Sequence, residues 1–347
     1  MKWTETLLNW YYENKRELPW RKTDDPYHIW LSEIILQQTR VDQGLSYYKK
    51  FIQNYPTVFD LAAAEEDEVL KLWQGLGYYS RARNLHASAQ WVVDKNKGVF
   101  PQTFKQLLLL KGIGDYTASA ISSICFDEPQ AVVDGNVYRF LSRCFGISTP
   151  IDSSTAHKEF KTVATRLMEG FSPGDFNQAV MEFGAVQCTP KKAQCSVCPF
   201  SSECRAFQEE RVYEFPIKKK RTKVRKRFFN YLVVETPNGN TILQQRTGPG
   251  IWQNLYEFPL LEADKSLTLQ ELSTHKNFPS EYKINVTEID PIGKEPVKHL
   301  LSHQQLFIRF WGIKLEKEIQ GAMSLMDIKK LPVPVVIQHF IDNHYTD

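Results

Sequence analysis

From Trp3 to about Ala206 the apolar residues return at every third or fourth position, as in Leu61, Ala64, Val69, Leu70 and Leu72, and again in Leu107, Leu108, Leu110 and Ile113. That period predicts helix rather than strand. Breakers interrupt it at Leu18-Pro19, Asp25-Pro26, Tyr55-Pro56, Gly75-Leu76-Gly77, Phe100-Pro101, Gly112-Ile113-Gly114, Asp134-Gly135-Asn136 and Ser172-Pro173-Gly174, and they cut the stretch into about ten helices. Beyond residue 228 the period changes to two. Phe229, Tyr231 and Val233 alternate with other residues, Pro237-Asn238-Gly239 makes a turn, and Thr241 to Gln245 returns, which predicts a mixed α and β domain. Between the two patterns, Lys218 to Arg227 holds eight Lys or Arg in ten positions. Such a block cannot bury itself, so it reads as a solvated linker or, with equal weight, as a contact to DNA phosphates. The expected organisation is a helical domain over 1–215, a basic linker over 216–227 and an α+β domain over 228–347.

Length agrees with two cores, since 347 residues exceed what one compact domain usually holds. No apolar run approaches the roughly 18 residues of a membrane span. The opening MKWTETLLNWYYENKRELPW mixes acidic with apolar residues and has no signal-peptide core, so an intracellular protein is expected, without membrane partners. The formal net charge is only +3, and a nucleic-acid role must therefore rest on local clusters and loops.

Of six cysteines, Cys188, Cys195, Cys198 and Cys204 fall together in a C-x6-C-x2-C-x5-C pattern, while Cys125 and Cys144 stand apart. Four thiolates suit structural zinc or an iron-sulfur cluster. Zinc sites usually use two Cys-x2-Cys knuckles across a longer loop, whereas one compact loop with a single such pair favours [4Fe-4S]. Disulfides are the remaining alternative, disfavoured in an intracellular setting.

Three further segments carry candidate chemistry. Leu110-Lys111-Gly112-Ile113-Gly114-Asp115-Tyr116-Thr117-Ala118 sets two glycines before a small-residue helix, a place where backbone N–H groups can hold a phosphate, although such a turn is more often merely a turn. Asp134 follows the apolar run Ala131-Val132-Val133 and precedes a helical pattern, so it reads as an N-cap that can also face a substrate. Glu33 sits among Ile29, Trp30, Leu31, Ile34, Ile35 and Leu36. Burial there would raise its pKa and let it carry a proton near neutral pH, the alternative being an exposed helical glutamate.

Together these motifs resemble the helix-hairpin-helix DNA glycosylase superfamily, in its endonuclease III and MutY branch. The hairpin (about 108–122), the V-D-G-N-V loop around Asp134 and the cysteine loop (188–204) carry the superfamily resemblance, and S-E-I-I-L-Q-Q-T-R around Glu33 resembles the adenine-specific MutY family. The resemblance implies a two-lobed all-α domain with a [4Fe-4S] loop and a base-flipping DNA-repair enzyme. Its substrate would be adenine paired with 8-oxoguanine or guanine in double-stranded DNA. Glu33 would be the general acid, Asp134 the carboxylate that stabilises the sugar cation or bonds to it, and Tyr116 and Asn136 their holders. Lyase members carry a nucleophilic lysine just after the hairpin glycines. Tyr116 occupies that position here, which implies a monofunctional glycosylase rather than an endonuclease III-like lyase.

Base and backbone contacts implied by the resemblance are Arg21, Gln38 and Thr39, the hairpin Gly112 and Gly114, and Tyr78 with Arg81, where Tyr78 and Gln38 are wedge candidates and Arg81 meets phosphate. A Tyr-Tyr pair is otherwise commoner as core packing. The C-terminal Gly250-Ile251-Trp252 to Pro259 resembles the lead-in of a Nudix fold without its glutamate-rich metal box, so lesion recognition is expected of it rather than hydrolysis. The family's sensing loop, Phe-Ser-His in relatives, matches Leu301, Ser302 and His303, with leucine as a departure. A monomer is expected, in the bacterial cytoplasm at the nucleoid or in a eukaryotic nucleus. The third reading is a non-catalytic iron-sulfur protein that binds DNA or transfers electrons. Glu33 and Asp134 weigh against it, since a binding module needs neither acid.

Overall fold

The computed structural model of the chain describes residues 2–219 and 224–345. The chain divides into two compact units, one of Met1–Ala63 with Asn84–Lys220 and the other of Ala64–Arg83 with Arg221–Asp347. Among the described residues the helices up to Gln208 are α1 (Lys2–Asn14), α2 (Pro26–Leu36), α3 (Val41–Asn54), α4 (Val58–Ala63), α5 (Glu66–Trp73), α6 (Ser80–Asn96), α7 (Phe104–Leu107), α8 (Asp115–Phe126), α9 (Gly135–Phe145), α10 (Ala156–Met168), α11 (Pro173–Val186) and α12 (Arg205–Gln208). There are more of them than the breakers predict because α7 and α12 are single turns, too short to show a period.

In the first unit the core gathers Leu7 and Tyr11 of α1, Phe140 of α9, Phe160 of α10 and Phe176 and Phe183 of α11. Phe140 and Phe183 stack with ring centroids 4.3 Å apart. Helix α2 starts with Asp25 accepting from the Tyr27 N–H at 2.8 Å and Pro26 in its first turn, a strong start signal. Tyr27 and every residue from Ile29 to Ile35 are buried, so the polar Ser32 and Glu33 are largely removed from water. Helix α9 begins where the chain leaves an extended run, Ala131 to Val133, that is itself buried. Asn177 of α11, fully buried, fixes this run: its Oδ1 accepts from Val132 N at 3.0 Å, and its Nδ2 donates to Gln130 O at 2.7 Å and Ser123 Oγ at 2.8 Å.

The second unit contains a mixed four-stranded sheet. Its strands are β1 (Arg225–Glu235), β4 (Leu260–Ala263), β5 (Val286–Leu300) and β6 (Gln304–Leu315), while β2 (Gln244–Gln245) and β3 (Tyr256–Glu257) form a separate small ribbon. The order is β4-β1-β6-β5, with β1 and β6 parallel and both outer pairings antiparallel. Helices α13 (Leu269–Ser273), α14 (Ser280–Asn285), α15 (Leu325–Ile328) and α16 (Val335–His344) complete it. Leu232, Val234, Trp311 and Ile313 form its core with Leu272 and Tyr282. The residues 64–83, read from sequence as part of the helical domain, group with this unit, where Lys71 Nζ donates to Lys329 O at 2.8 Å and Asn254 Nδ2 to Glu66 Oε1 at 2.6 Å.

Part of the basic run is not a linker: Arg225, Lys226 and Arg227 lie in β1, and Arg227 pairs with Glu262 of β4 at 2.6 Å. Lys220, Arg221, Thr222 and Lys223 lie outside the described residues. No helix among the described residues is long and apolar enough to cross a membrane.

Replacing Asn177 with alanine strands the buried Val132 N–H and removes the bonds to Gln130 O and Ser123 Oγ. We expect the Asn177→Ala variant to lose about 1–3 kcal/mol of stability, read as a lower denaturation midpoint.

Candidate active site

The chemistry-bearing residues of the first unit meet in one cleft, lined by Arg21, Glu33, Tyr116, Asp134, Asn136 and Glu182 among others. Glu33 is on the closed face of α2 and only 9% exposed. Burial pushes its carboxyl up to about 7, and the nearby Asp134 charge adds to this while the Tyr116 hydroxyl and Arg21 oppose it. A buried carboxyl at that value is a mixture of acid and carboxylate near neutral pH, the condition for proton transfer. The Tyr116 hydroxyl hydrogen-bonds Glu33 and also stands 3.2 Å from Met181 Sδ. A phenol has one proton: it donates to Glu33 as carboxylate, and can accept from Glu33 and turn to the sulfur when Glu33 is the acid.

Asp134 is the N-cap of α9, as the sequence predicts. Its Oδ1 accepts from Asn136 N at 2.9 Å and Val137 N at 2.8 Å, and its Oδ2 from Asn136 Nδ2 at 2.7 Å. Burial raises its pKa, and those N–H donors oppose the rise. They also leave it at the positive end of a helix, which favours the carboxylate. Asn136 is held in turn, since Arg139 Nη2 donates to its Oδ1 at 2.8 Å while Arg139 Nε donates to Cys188 O at 2.7 Å.

Glu182 of α11 was not singled out in the sequence. It receives Arg16 through Nε at 2.7 Å and Nη2 at 2.6 Å, and Arg21 through Nη2 at 2.7 Å. Burial alone would raise its pKa, but the two guanidinium groups outweigh it and hold the carboxyl at about 2. Arg21 thus lines the cleft while ion-paired to Glu182, which it shares with Arg16. Its partner is 161 residues away in the chain, and no local pattern marks such a pair.

A wider groove adjoins the carboxylates, lined by Gln38, Thr39, Gly114, Asp134 and His157 among others. Gly112 has φ +80°, and a Cβ there would meet Asn84 Cβ at 2.8 Å, so only glycine fits. Gly114 is different: its backbone is extended and a Cβ would meet nothing within 4 Å. What its lack of a side chain provides is open backbone at the start of α8. Both wedge candidates are non-glycine residues in the left-handed region, Gln38 at φ 56° and Tyr78 at φ 48°, a strain of about 1 kcal/mol or more each.

In the second unit the Tyr78 hydroxyl is hydrogen-bonded to Ser302 Oγ, and a cavity there is lined by Tyr78, Trp252, Leu301, Ser302 and His303. Arg81 departs from expectation. It is 8% exposed, donates to the carbonyls of Leu76 and Gly77, and lies over the Trp73 ring with its guanidinium carbon 5.0 Å from the centroid. It closes a turn. The two carbonyls and the indole face offset part of the cost of burying its charge.

The four cysteines of the loop line one cavity with Phe140, Phe183 and Phe200, and none is in a disulfide. Arg143 Nη1 donates to Cys188 Sγ at 3.4 Å. Among the described residues no three His, Cys, Asp or Glu converge as ligands of a single metal ion.

The family of HhH-GPD superfamily base excision DNA repair proteins matches residues 31–166, and a NUDIX domain matches residues 230–343. The chain is 36% identical to the adenine DNA glycosylase of Rattus norvegicus over 92% of this chain and 72% of the rat protein. It belongs to the adenine DNA glycosylase family. The adenine DNA glycosylase of Arabidopsis thaliana is 43% identical over 73% of this chain, which spans 46% of that longer protein. A solved structure of a thermostable thymine-DNA glycosylase superposes with a TM-score of 0.55 at 32% identity, covering 60% of this chain and 95% of the other. Within the adenine DNA glycosylase family, then, the helical region and the C-terminal α+β domain have the fold classes the sequence predicts.

The ion-paired Arg21 makes a measurable prediction. With Glu182→Gln its positive charge is uncompensated and stabilises the Glu33 carboxylate. The Glu33 carboxyl, titrating at about 7 in the native protein, should titrate at lower pH in that variant, read by NMR of labelled carboxyls. An unchanged titration would mean that Arg21 does not act on Glu33.

Proposed function

We propose that this protein flips adenine out of duplex DNA, from pairs with 8-oxoguanine or guanine, and hydrolyses its N-glycosidic bond without cutting the strand. The observation that carries this reading is the pair of carboxyls in one cleft, both raised by burial but unequally supplied with donors: Glu33 meets a single phenol, Asp134 three N–H donors. Two acids whose environments separate their proton affinities are what glycoside cleavage requires.

Glu33 as acid protonates the adenine at N7. The C1′–N9 bond breaks with its electron pair leaving on the base, and the sugar becomes an oxocarbenium ion stabilised by the Asp134 carboxylate through charge or a transient covalent bond. Glu33, now a carboxylate, takes a proton from the water that attacks C1′. Tyr116 and Asn136 hold the two carboxyls, and Tyr116, standing where a lyase would have its amine, cannot form a Schiff base. Arg21 and Thr39 contact the extruded nucleotide, Gln38 and Tyr78 fill the gap in the stack, Gly112 and Gly114 receive a phosphate, and Ser302 with His303 reads the opposite base. The work is done where genomic DNA lies, in the cytoplasm of a bacterium or the nucleus of a eukaryote.

Cys188, Cys195, Cys198 and Cys204 would hold a [4Fe-4S] cluster. Their arrangement fits it: the four thiols line one cavity and none is in a disulfide, and a single compact loop of four thiolates is a donor set that such a cluster takes. Bound there, the cluster would cross-link the loop between Cys188 and Cys204.

A single-turnover assay with duplexes carrying adenine opposite 8-oxoguanine tests the reading. Scission should appear only after alkali and fall by at least about 100-fold in Glu33→Gln, the low end of what a general acid contributes. Since the proton on Glu33 is lost above about 7, the native rate should decline as pH rises through that value. Scission without alkali would identify a lyase, and no product would return the protein to a binding role. Cys198→Ser should lose the visible charge-transfer absorbance of the purified protein, whatever its activity.

A further inference from the structure

Outside the cleft, one face of α10 is basic and without an assigned task. His157, Lys158, Lys161 and Arg166, with Thr162 and Thr165, line a groove closed on its other side by Asp115 of α8. The spacing of i, i+1, i+4, i+5, i+8 and i+9 makes this a single helical stripe, and Glu159 lies off it. Lys158 and Arg166 are exposed, and among the described residues their side chains have no ion-pair partner. Lys161 is committed: its Nζ is 2.8 and 2.9 Å from the two Asp115 oxygens and 3.3 Å from Ser119 Oγ. His157 Nε2 is 3.2 Å from Asp115 Oδ1.

Two features give this face a partner. His157 and Asp115 line both this groove and the one that contains Gly114, Asp134 and Glu33, so the stripe continues the surface on which the strand would lie. Asp115 stands at the first position of α8, beside the open backbone of Gly114, where an uncompensated carboxylate would repel a phosphate. Among the described residues its ion-pair partners, Lys161 and His157, both come from α10.

We propose that the α10 stripe is a DNA-backbone surface, with Lys158 and Arg166 contacting phosphates beyond the flipped nucleotide and Lys161 serving to neutralise Asp115. The inference rests on the glycosylase reading and extends it to a part of the duplex that the active site does not touch. Contacts of this kind carry no sequence information, so they weaken binding to paired and mispaired duplex alike when removed.

The test is the dependence of duplex affinity on salt for the full chain, with undamaged duplex and with an adenine:8-oxoguanine duplex. Each phosphate contact contributes about 0.9 to the slope of log Kd against log salt, so Lys158→Ala/Arg166→Ala should reduce the slope by about 1.8 on both duplexes, and the affinity lost between about 50 and 200 mM salt should shrink about ten-fold. Asp115→Asn, which releases Lys161, should steepen the slope by about 0.9. Wild-type slope in the double variant overturns the phosphate contacts, and an unchanged slope in Asp115→Asn overturns the neutralising role. A wild-type protein that binds neither duplex overturns the glycosylase reading and this inference together, whereas tight, salt-steep wild-type binding with unmoved variants overturns this inference only.

Discussion

A carboxyl keeps its proton near neutral pH only where water is kept from it, and that constraint organises the helical unit. Helix α2 is mostly apolar and buried from Ile29 to Ile35, so Glu33 sits with little solvent and few donors, and its pKa rises to about 7. Asp134 shares the cleft but sits at a helix start, where the chain supplies N–H groups that no carboxyl on the side of a helix can reach. The same cavity therefore holds one group suited to giving a proton and one suited to facing a cation. Their difference comes from backbone position rather than from the residue types, which are nearly interchangeable in water.

Such a split survives only if both carboxyls are held still. Asn177 ties down the run before Asp134, Asn136 ties its second oxygen, and Arg139 ties Asn136 to the carbonyl of Cys188. The cysteine loop and the Asp134 turn are thus joined by one guanidinium, which also donates to Gly184 O. Arginine suits the position because its fork reaches several acceptors at once in a fixed plane, where lysine would offer a point charge.

Much of this was legible in the sequence because it is local. The N-cap role of Asp134 follows from an acid between an apolar run and a helical pattern, the burial of Glu33 from its six apolar neighbours, and the hairpin from two glycines, of which Gly112 alone needs its conformation. What escaped is non-local. Glu182 lies 166 residues from Arg16, Asn177 lies 45 from Val132, and the segment 64–83 groups with strands more than a hundred residues later. Arg81 was misplaced for a related reason: beside two tyrosines it looks like a surface cation, and only the turn at Leu76 and Gly77 shows carbonyls waiting for it.

Under the proposed lesion-sensing role, the loop after β5 must tolerate its departure from the family pattern. Its backbone is pinned at both sides, by Leu301 N donating to Gln304 O at 2.8 Å and Arg225 N donating to His303 O at 3.0 Å. Ser302 is further fixed by Tyr78, whose own backbone is held in the left-handed region. A loop held this way has little conformational entropy left to lose when it meets a base. Replacing an aromatic wedge by Leu301 removes ring stacking but keeps dispersion contact, so discrimination must come from groups with direction. Among the loop's three residues those are the Ser302 hydroxyl and the His303 imidazole, and it is their placement, rather than the size of residue 301, that the pinned backbone preserves.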